Sequence, residues 1–275
     1  MTNIRPAAVA GTFYPADAAV LIGTVDRLLA AAAPAATPAS EGAPALKALI
    51  VPHAGYVYSG PVAAPAYAQL RPFAAAIQRV ILLGPAHRVA IRGLALPAVA
   101  HFATPLGIVE IDAEASAAVR RLPQVCDSAL AHADEHSLEV QLPFLQRVLG
   151  DFSLLPLVVG DASGEMIAEV LDLLWSGPET LLVVSSDLSH YHPYNEARVI
   201  DRETADLILA RQPVIDHEQA CGATPVNGLL LAARRRGLHP TLLDLRNSGD
   251  TAGDRRRVVG YAAFSFGEKD SHAEH

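Results

Sequence analysis

The stretch Leu49-Ile50-Val51-Pro52-His53-Ala54-Gly55-Tyr56 decides how the chain reads. An apolar run ends at a proline, and a histidine follows at once. The pattern returns at Val80-Ile81-Leu82-Leu83-Gly84-Pro85-Ala86-His87. It returns again at Leu181-Leu182-Val183-Val184-Ser185-Ser186-Asp187-Leu188-Ser189-His190. Short runs of Val, Ile and Leu bounded by Gly or Pro read as buried strands of a mostly parallel sheet. Ligands of open α/β sheets bind beyond the carboxyl ends of the strands. Three strands that each deliver a histidine there point to one shared site.

Outward from these runs, strands alternate with helices. Strands are expected over 46–51, 79–84, 92–100, 107–111, 153–159, 180–185, 241–246 and 257–266. Helices are expected over 18–33, capped by Asp17, and over 62–70, opened by Pro61. Others follow over 113–122, 164–175, 196–210 and 225–236. One more is opened by 133–139, kinked at Pro143 and stopped by Gly150. This alternation predicts an α/β three-layer sandwich with a mixed, mostly parallel central sheet, in which 257–266 adds an antiparallel edge. One domain over 1–275 is expected. It carries a mobile Ala/Pro-rich loop at 34–45 and a disordered tail at 267–275, so His272 and His275 are discounted.

The 275 residues are 51% hydrophobic and 18% charged, with a formal net charge of −8. A sizeable core is affordable, and nucleic-acid or anionic-membrane binding, which needs clustered Lys and Arg, is disfavoured. Arg234-Arg235-Arg236 suits a helix C-terminus before Gly237, and Arg255-Arg256-Arg257 sits in a turn beside Asp250 and Asp254. Two cysteines, Cys126 and Cys221, make no disulfide framework, which points to a reducing compartment. No signal peptide is read, and no apolar run reaches the ~20 residues of a membrane helix. The expectation is a soluble cytoplasmic protein.

His53 and His87 are the leading metal-ligand candidates, since imidazole suits Zn, Cu, Fe and Ni and strand ends hold ligands firmly. The plainer alternative for each is a strand-end cap on a backbone carbonyl. Cys221 is the natural third ligand as a soft thiolate, with a small buried apolar residue as the alternative. Gly222 beside it permits close backbone approach, and a nearby helix N-terminus would favour the thiolate. Asp187 and His190, three apart past the third strand, make a candidate acid/base pair in which the carboxylate orients the imidazole; a capping Asp and a surface His are the alternative. Ser185 and Ser186 are rival nucleophiles, but the G-x-S-x-G elbow is missing. Glu135, His136 and Glu139 open a helix. Acids there complement the dipole, and His136 is a candidate second acid/base or substrate contact. His136-x-x-Glu139 lacks the second His of a zincin.

Together these segments resemble the Memo family, whose bacterial members include AmmeMemoRadiSam system protein B. The matching stretches are Ala10-Gly11-Thr12-Phe13-Tyr14-Pro15, Pro52-His53-Ala54-Gly55-Tyr56, Gly84-Pro85-Ala86-His87, Asp134-Glu135-His136-Ser137, 185–191, Cys221-Gly222 and Asn247-Ser248-Gly249-Asp250. The resemblance implies a fold similar to class III extradiol dioxygenases, which use non-haem iron. It implies that His53, His87 and Cys221 match the metal-binding positions and that His190 matches a pocket acid/base. A Cys in place of the usual carboxylate makes copper a rival to iron, with zinc behind both.

The leading expectation is therefore a metal-dependent redox protein, an oxygen-activating oxidoreductase with a non-haem His/His/Cys site. The alternative is a non-catalytic module that uses the same pocket for a peptide or small-molecule ligand. A metal-dependent hydrolase stands third.

Overall fold

The structure is a computed structural model that describes residues 3–32 and 46–268. The loop expected at 34–45 lies outside the described residues, as does the tail from 269 with His272 and His275. Gly267 departs from the expected tail: it pairs with His239 as the last residue of a strand.

The elements run β1 (Ile4–Arg5), α1 (Ala18–Ala31), β2 (Leu46–Val51), α2 (Tyr56–Ala68), β3 (Arg79–Pro85), β4 (Leu94–Leu96), β5 (His101–Thr104) and β6 (Gly107–Ile111). Then come α3 (Ala113–Val119), β7 (Val125–Asp127), α4 (Ala129–Ala133), α5 (His136–Glu139), α6 (Leu142–Leu149), β8 (Ser153–Val159) and α7 (Gly164–Leu174). The chain continues through β9 (Thr180–Ser185), β10 (His190–His192), α8 (Tyr194–Leu209), α9 (Ala223–Arg236), β11 (His239–Asn247), α10 (Ser248–Thr251) and β12 (Val258–Gly267).

The strands form one mixed sheet in the order β1-β5-β6-β8-β3-β9-β2-β12-β10, with β11 on β12 and β4–β7 on β8. Its centre, β6-β8-β3-β9-β2, is parallel throughout. β12 joins β2 antiparallel, which makes the sheet mixed as expected, but it is an inner strand and not the expected edge, because β11 pairs along its other side. The three histidine-bearing runs are neighbours, but His53 and His87 do not leave adjacent strands: β9 lies between β2 and β3.

The unbroken apolar runs have a simple cause. In β2, Leu49 and Val51 face one core while Ala48 and Ile50 face the other, and β3 and β9 divide in the same way. Each central strand is buried on both faces, so alternation vanishes from the sequence. Helices α1, α2 and α6 cover the first face with Leu21, Val25, Tyr67 and Phe144. Helices α3, α7, α8 and α9 cover the second with Val119, Leu171, Ile208 and Leu229. Pro156 is tolerated inside β8 because β6 pairs only with Ser153 and Leu154, and β4 only with Val158 and Val159. The missing amide hydrogen falls in the gap between them.

Four local expectations change. Helix α2 begins at Tyr56, not at Val62, and contains Pro61 and Pro65. The residue before Pro61 is Gly60, which has no Cβ to clash with the proline ring. A Cβ there would also come within 2.8 Å of Leu28 on α1. The helix expected through 149 breaks instead of kinking: α5 ends at Glu139, and Pro143 falls in the first turn of α6, where a missing N–H costs little. Of 92–100, only Leu94–Leu96 forms a strand. The turn after β11 is a short helix closed by a capping box between Asn247 and Asp250. Among the described residues, no helix is long and apolar enough to cross a membrane.

Candidate metal centre

At the carboxyl end of the central strands, three imidazoles meet. His53 follows β2, His87 follows β3, and His136 opens α5. Ring centroids lie 5.2 Å apart for His53 and His87, 5.5 Å for His53 and His136, and 4.7 Å for the stacked pair His87 and His136. One nitrogen of each lies within 4.8 Å of the other two, close enough to converge on one ion. The expected pair is thus brought together, and His136, read from the sequence as an acid/base, joins it.

Cys221 approaches from the loop before α9. Its Sγ lies 3.3 Å from His53 Nε2. A Cβ on Gly222 would sit 2.6 Å from the Cβ of Ser186, so only glycine lets this loop close onto the end of β9. The backbone N–H of Gly222 donates to Ser186 Oγ at 2.9 Å. Cys126 is exposed beside β4, away from this cluster.

The far sides of the rings are tied down. His53 Nδ1 meets Ser185 Oγ at 2.8 Å. His87 Nδ1 meets Glu135 Oε1 at 2.9 Å, and the backbone N–H of His87 donates to Glu135 Oε2 at 2.6 Å. His190, on β10, donates from Nδ1 to the carbonyl of Leu188 at 2.8 Å. A carbonyl only accepts, so His190 carries its proton on Nδ1 and leaves Nε2 bare. The buried Nδ1 of His136 has no hydrogen-bond partner.

Asp187 does not orient His190, as the spacing had suggested. Its Oδ1 accepts the backbone N–H of His53 at 2.7 Å. The carboxylate caps the turn after β2, and burial pushes it up to about 7 against the pull of the His53 and Ala54 amides. Ser185 and Ser186 make no nucleophile–base pair. Ser185 Oγ donates to the carbonyl of Ser137, and Ser186 Oγ to that of Asp187.

Along the whole chain, residues 5–265 match a family described as Memo-like protein. A MEMO1 family protein of Methanopyrus kandleri is 36% identical over 95% of this chain and 98% of its own length. Those of Sulfolobus acidocaldarius and Aquifex aeolicus are 36% and 35% identical over 96% of this chain and 100% and 99% of theirs. The chain belongs to the Memo family. The crystal structure of the uncharacterized protein JW3007 from Escherichia coli K12 shares the fold. It has a TM-score of 0.53 and 15% identity, and it covers 80% of this chain and 99% of that one.

The charges in this Memo-family cluster suit a cation. Burial pulls His53 well below the ordinary imidazole range, and it lowers His190; it brings His136 down to about 4. These rings are neutral near pH 7, with lone pairs free to coordinate. Burial works against the charge of Glu135, but hydrogen bonds from His87 and Ser137 hold it down to about 2, so it stays an anion behind His87. The Cys221 thiol runs against the sequence reading. Burial and then the nearby Asp187 push it up to about 12, so the helix N-terminus does not make it a thiolate. A bound cation would have to displace that proton. The three imidazoles fit a metal ion of the imidazole-binding kind, and Cys221 Sγ stands beside His53 but outside that set of three.

Around the cluster, Phe13 packs on His136 at 4.6 Å and lines a cavity of about 680 Å3 with Tyr14, Tyr56 and Leu28. Tyr191, beside His190, lies under the Arg257 guanidinium at 5.0 Å. Sequence reasoning passed over the residues behind the rings: Gln141, Ser137 and the true task of Ser185. Ser137 and Ser185 lie inside the family-matching stretches 134–137 and 185–191 but were given no such role, and nothing in the sequence singled out Gln141.

Proposed function

We propose that the chain is a metal-dependent redox protein, an oxygen-activating oxidoreductase in which His53, His87 and Cys221 hold iron or copper. The observation that carries this is the convergence of His53 and His87 with Cys221 Sγ 3.3 Å from His53 Nε2. Two ligands of one ion, at ~2.1 Å for nitrogen and ~2.3 Å for sulfur, stand about this far apart. An iron or copper ion supplies one-electron chemistry toward dioxygen or a related oxidant. The protein supplies the rest. Bare Nε2 on His190 takes a proton from a small-molecule or peptide ligand, and neutral His136 stands ready as a second acid/base. The free thiols of Cys126 and Cys221 suit a reducing cytoplasm.

The test is elemental analysis of protein purified anaerobically without a metal-affinity tag, then dialysed. Iron or copper near one ion per chain is expected. Cys221→Ser should retain at least tenfold less metal than Cys126→Ser. If instead His136→Gln strips the ion and Cys221→Ser keeps it, three histidines are the ligands. Redox-silent zinc would favour a hydrolase. A metal-free chain that still takes peptide would favour a binding module.

A further inference from the structure

A histidine ligand must offer a bare nitrogen, and a neutral imidazole has two ways to place its one proton. Two chains of hydrogen bonds, one wholly buried behind His53 and one anchored on buried Glu135 behind the more exposed His87, settle this choice.

Behind His53, Ser185 Oγ is fully committed. It donates its only proton to the carbonyl of Ser137 at 2.6 Å and accepts from Gln141 Nε2 at 2.7 Å. Gln141 is itself oriented: Nε2 also donates to the carbonyl of Pro52 at 3.0 Å, and Oε1 accepts from the hydroxyl of fully buried Tyr67 at 2.8 Å. Reversing the amide would set its oxygen against the Pro52 carbonyl. Ser185 therefore has only an accepting lone pair left for His53, and the proton of that bond must sit on His53 Nδ1.

Behind His87, Glu135 is 2% exposed and has only acceptors to offer. Oε2 takes the backbone N–H of His87, and Oε1 takes the backbone N–H of Ser137 at 2.9 Å. The bond at Oε1 from His87 Nδ1 needs a proton on that nitrogen too. Both chains meet at Ser137, whose N–H goes to Glu135 and whose carbonyl goes to Ser185.

We propose that Ser185, oriented by Gln141, and Glu135 are positioning residues that lock His53 and His87 in the Nδ1–H form before any ion arrives. The first turn of α5 ties the two locks together. In the neutral form of each ring the Nε2 lone pair is then the one left for a ligand, and binding requires no exchange of tautomer. That these rings ligate a metal rests on the function proposed above; the lock itself is a property of the metal-free chain. Partners of this kind typically change metal affinity 10–100-fold when removed.

The test has two readouts on the full-length chain. In metal-free protein, long-range 1H–15N correlation of the imidazole nitrogens should show a protonated Nδ1 and a bare Nε2 for His53 and His87. Ser185→Ala should release His53 to a mixture of both forms while His87 keeps its own. Glu135→Ala should do the reverse, and Glu135→Gln, which keeps a carbonyl acceptor, should restore the His87 pattern. In calorimetric titration with Zn2+, Ser185→Ala and Glu135→Ala should each bind 10–100-fold more weakly. A protonated Nε2 on either ring of the wild-type protein overturns the proposal, whether or not any variant folds. An unchanged His53 pattern in Ser185→Ala overturns it as well. A wild-type chain with both locks in place that ignores Zn2+ upholds the lock and removes the metal reading alone.

Discussion

His190 shows how little of a residue's role lies in its identity. Its Nδ1 is spent on the Leu188 carbonyl, and the ring lies beside Tyr191, whose backbone takes the left-handed region at φ 64°. This geometry fixes the ring through Nδ1 and leaves Nε2 uncommitted. His190→Ala is therefore expected to leave metal content unchanged and shift stability by less than about 1 kcal/mol, while any turnover falls at least a hundredfold. Loss of metal would make His190 a ligand. His132 behaves differently. It is 2% exposed, its Nε2 is bonded to the Ala95 carbonyl at 2.8 Å, and its Nδ1 has no partner. Burial pulls this imidazole from 6.5 to about 4. The unfolded chain gains a proton at His132 as pH falls below 6.5, while the folded chain holds out until about 4. Stability contributed by neutral His132 is thus complete above 6.5 and lost as pH drops toward 4, by about 3 kcal/mol. In His132→Gln, the fall in stability between pH 6.5 and 4, followed by urea unfolding, should be shallower by about that amount.

Helix α5 is one turn long and has no stability of its own. It is held by a buried ion pair between Glu139 and Arg5 at 2.6 Å, with both side chains almost wholly enclosed. Glu139 also accepts from the amides of Ala8 and Val9 and from the Tyr14 hydroxyl at 2.5 Å. Arg5 donates further to the carbonyls of His132 and Glu135. The N-terminal segment after β1 is thereby fastened to the element that carries His136 and Ser137. Glu139→Ala leaves the Arg5 charge buried and unpaired, a change that costs about 3–5 kcal/mol. Urea unfolding should show that loss, and the His136 resonances should shift even where the chain remains folded. A loss under 1 kcal/mol would mean that the pair contributes no more than a surface bridge.

Across the whole molecule, the centre of the sheet is enclosed on both faces while its margins are not. β3 is paired along both edges and lies between two cores; β7 is paired only with the three-residue β4. Hydrogen exchange should reflect this. Amides of β3, β9 and β2 are expected to exchange at the rate set by global unfolding, and those of β4 and β7 at least a hundredfold faster. Uniform protection over all of these strands would show that the sheet opens as a single unit. His53 and His87 directly follow two of these strands, β2 and β3, so slow exchange there would place both histidines on the most protected part of the sheet.

The sequence by itself determined the sheet and the gathering of His53 and His87. A run such as Val80 to Leu83 can be buried only on both faces, and a proline or glycine after it ends the strand where ligands collect. The helices with clear apolar stripes were legible for the same local reason. What only the tertiary structure decided are pairings between groups far apart in the chain. Asp187 serves the amide of His53, 134 residues away, and not its near neighbour His190. Cys221 is a protonated thiol because the fold buries it beside Asp187. His136 reaches the cluster because the chain breaks before Pro143 and Glu139 is pulled toward Arg5. Periodicity reports which face of an element is buried. It carries no record of which polar groups meet there, because a hydrogen bond depends on position in space to a few tenths of an ångström, and that is set only when every layer is packed.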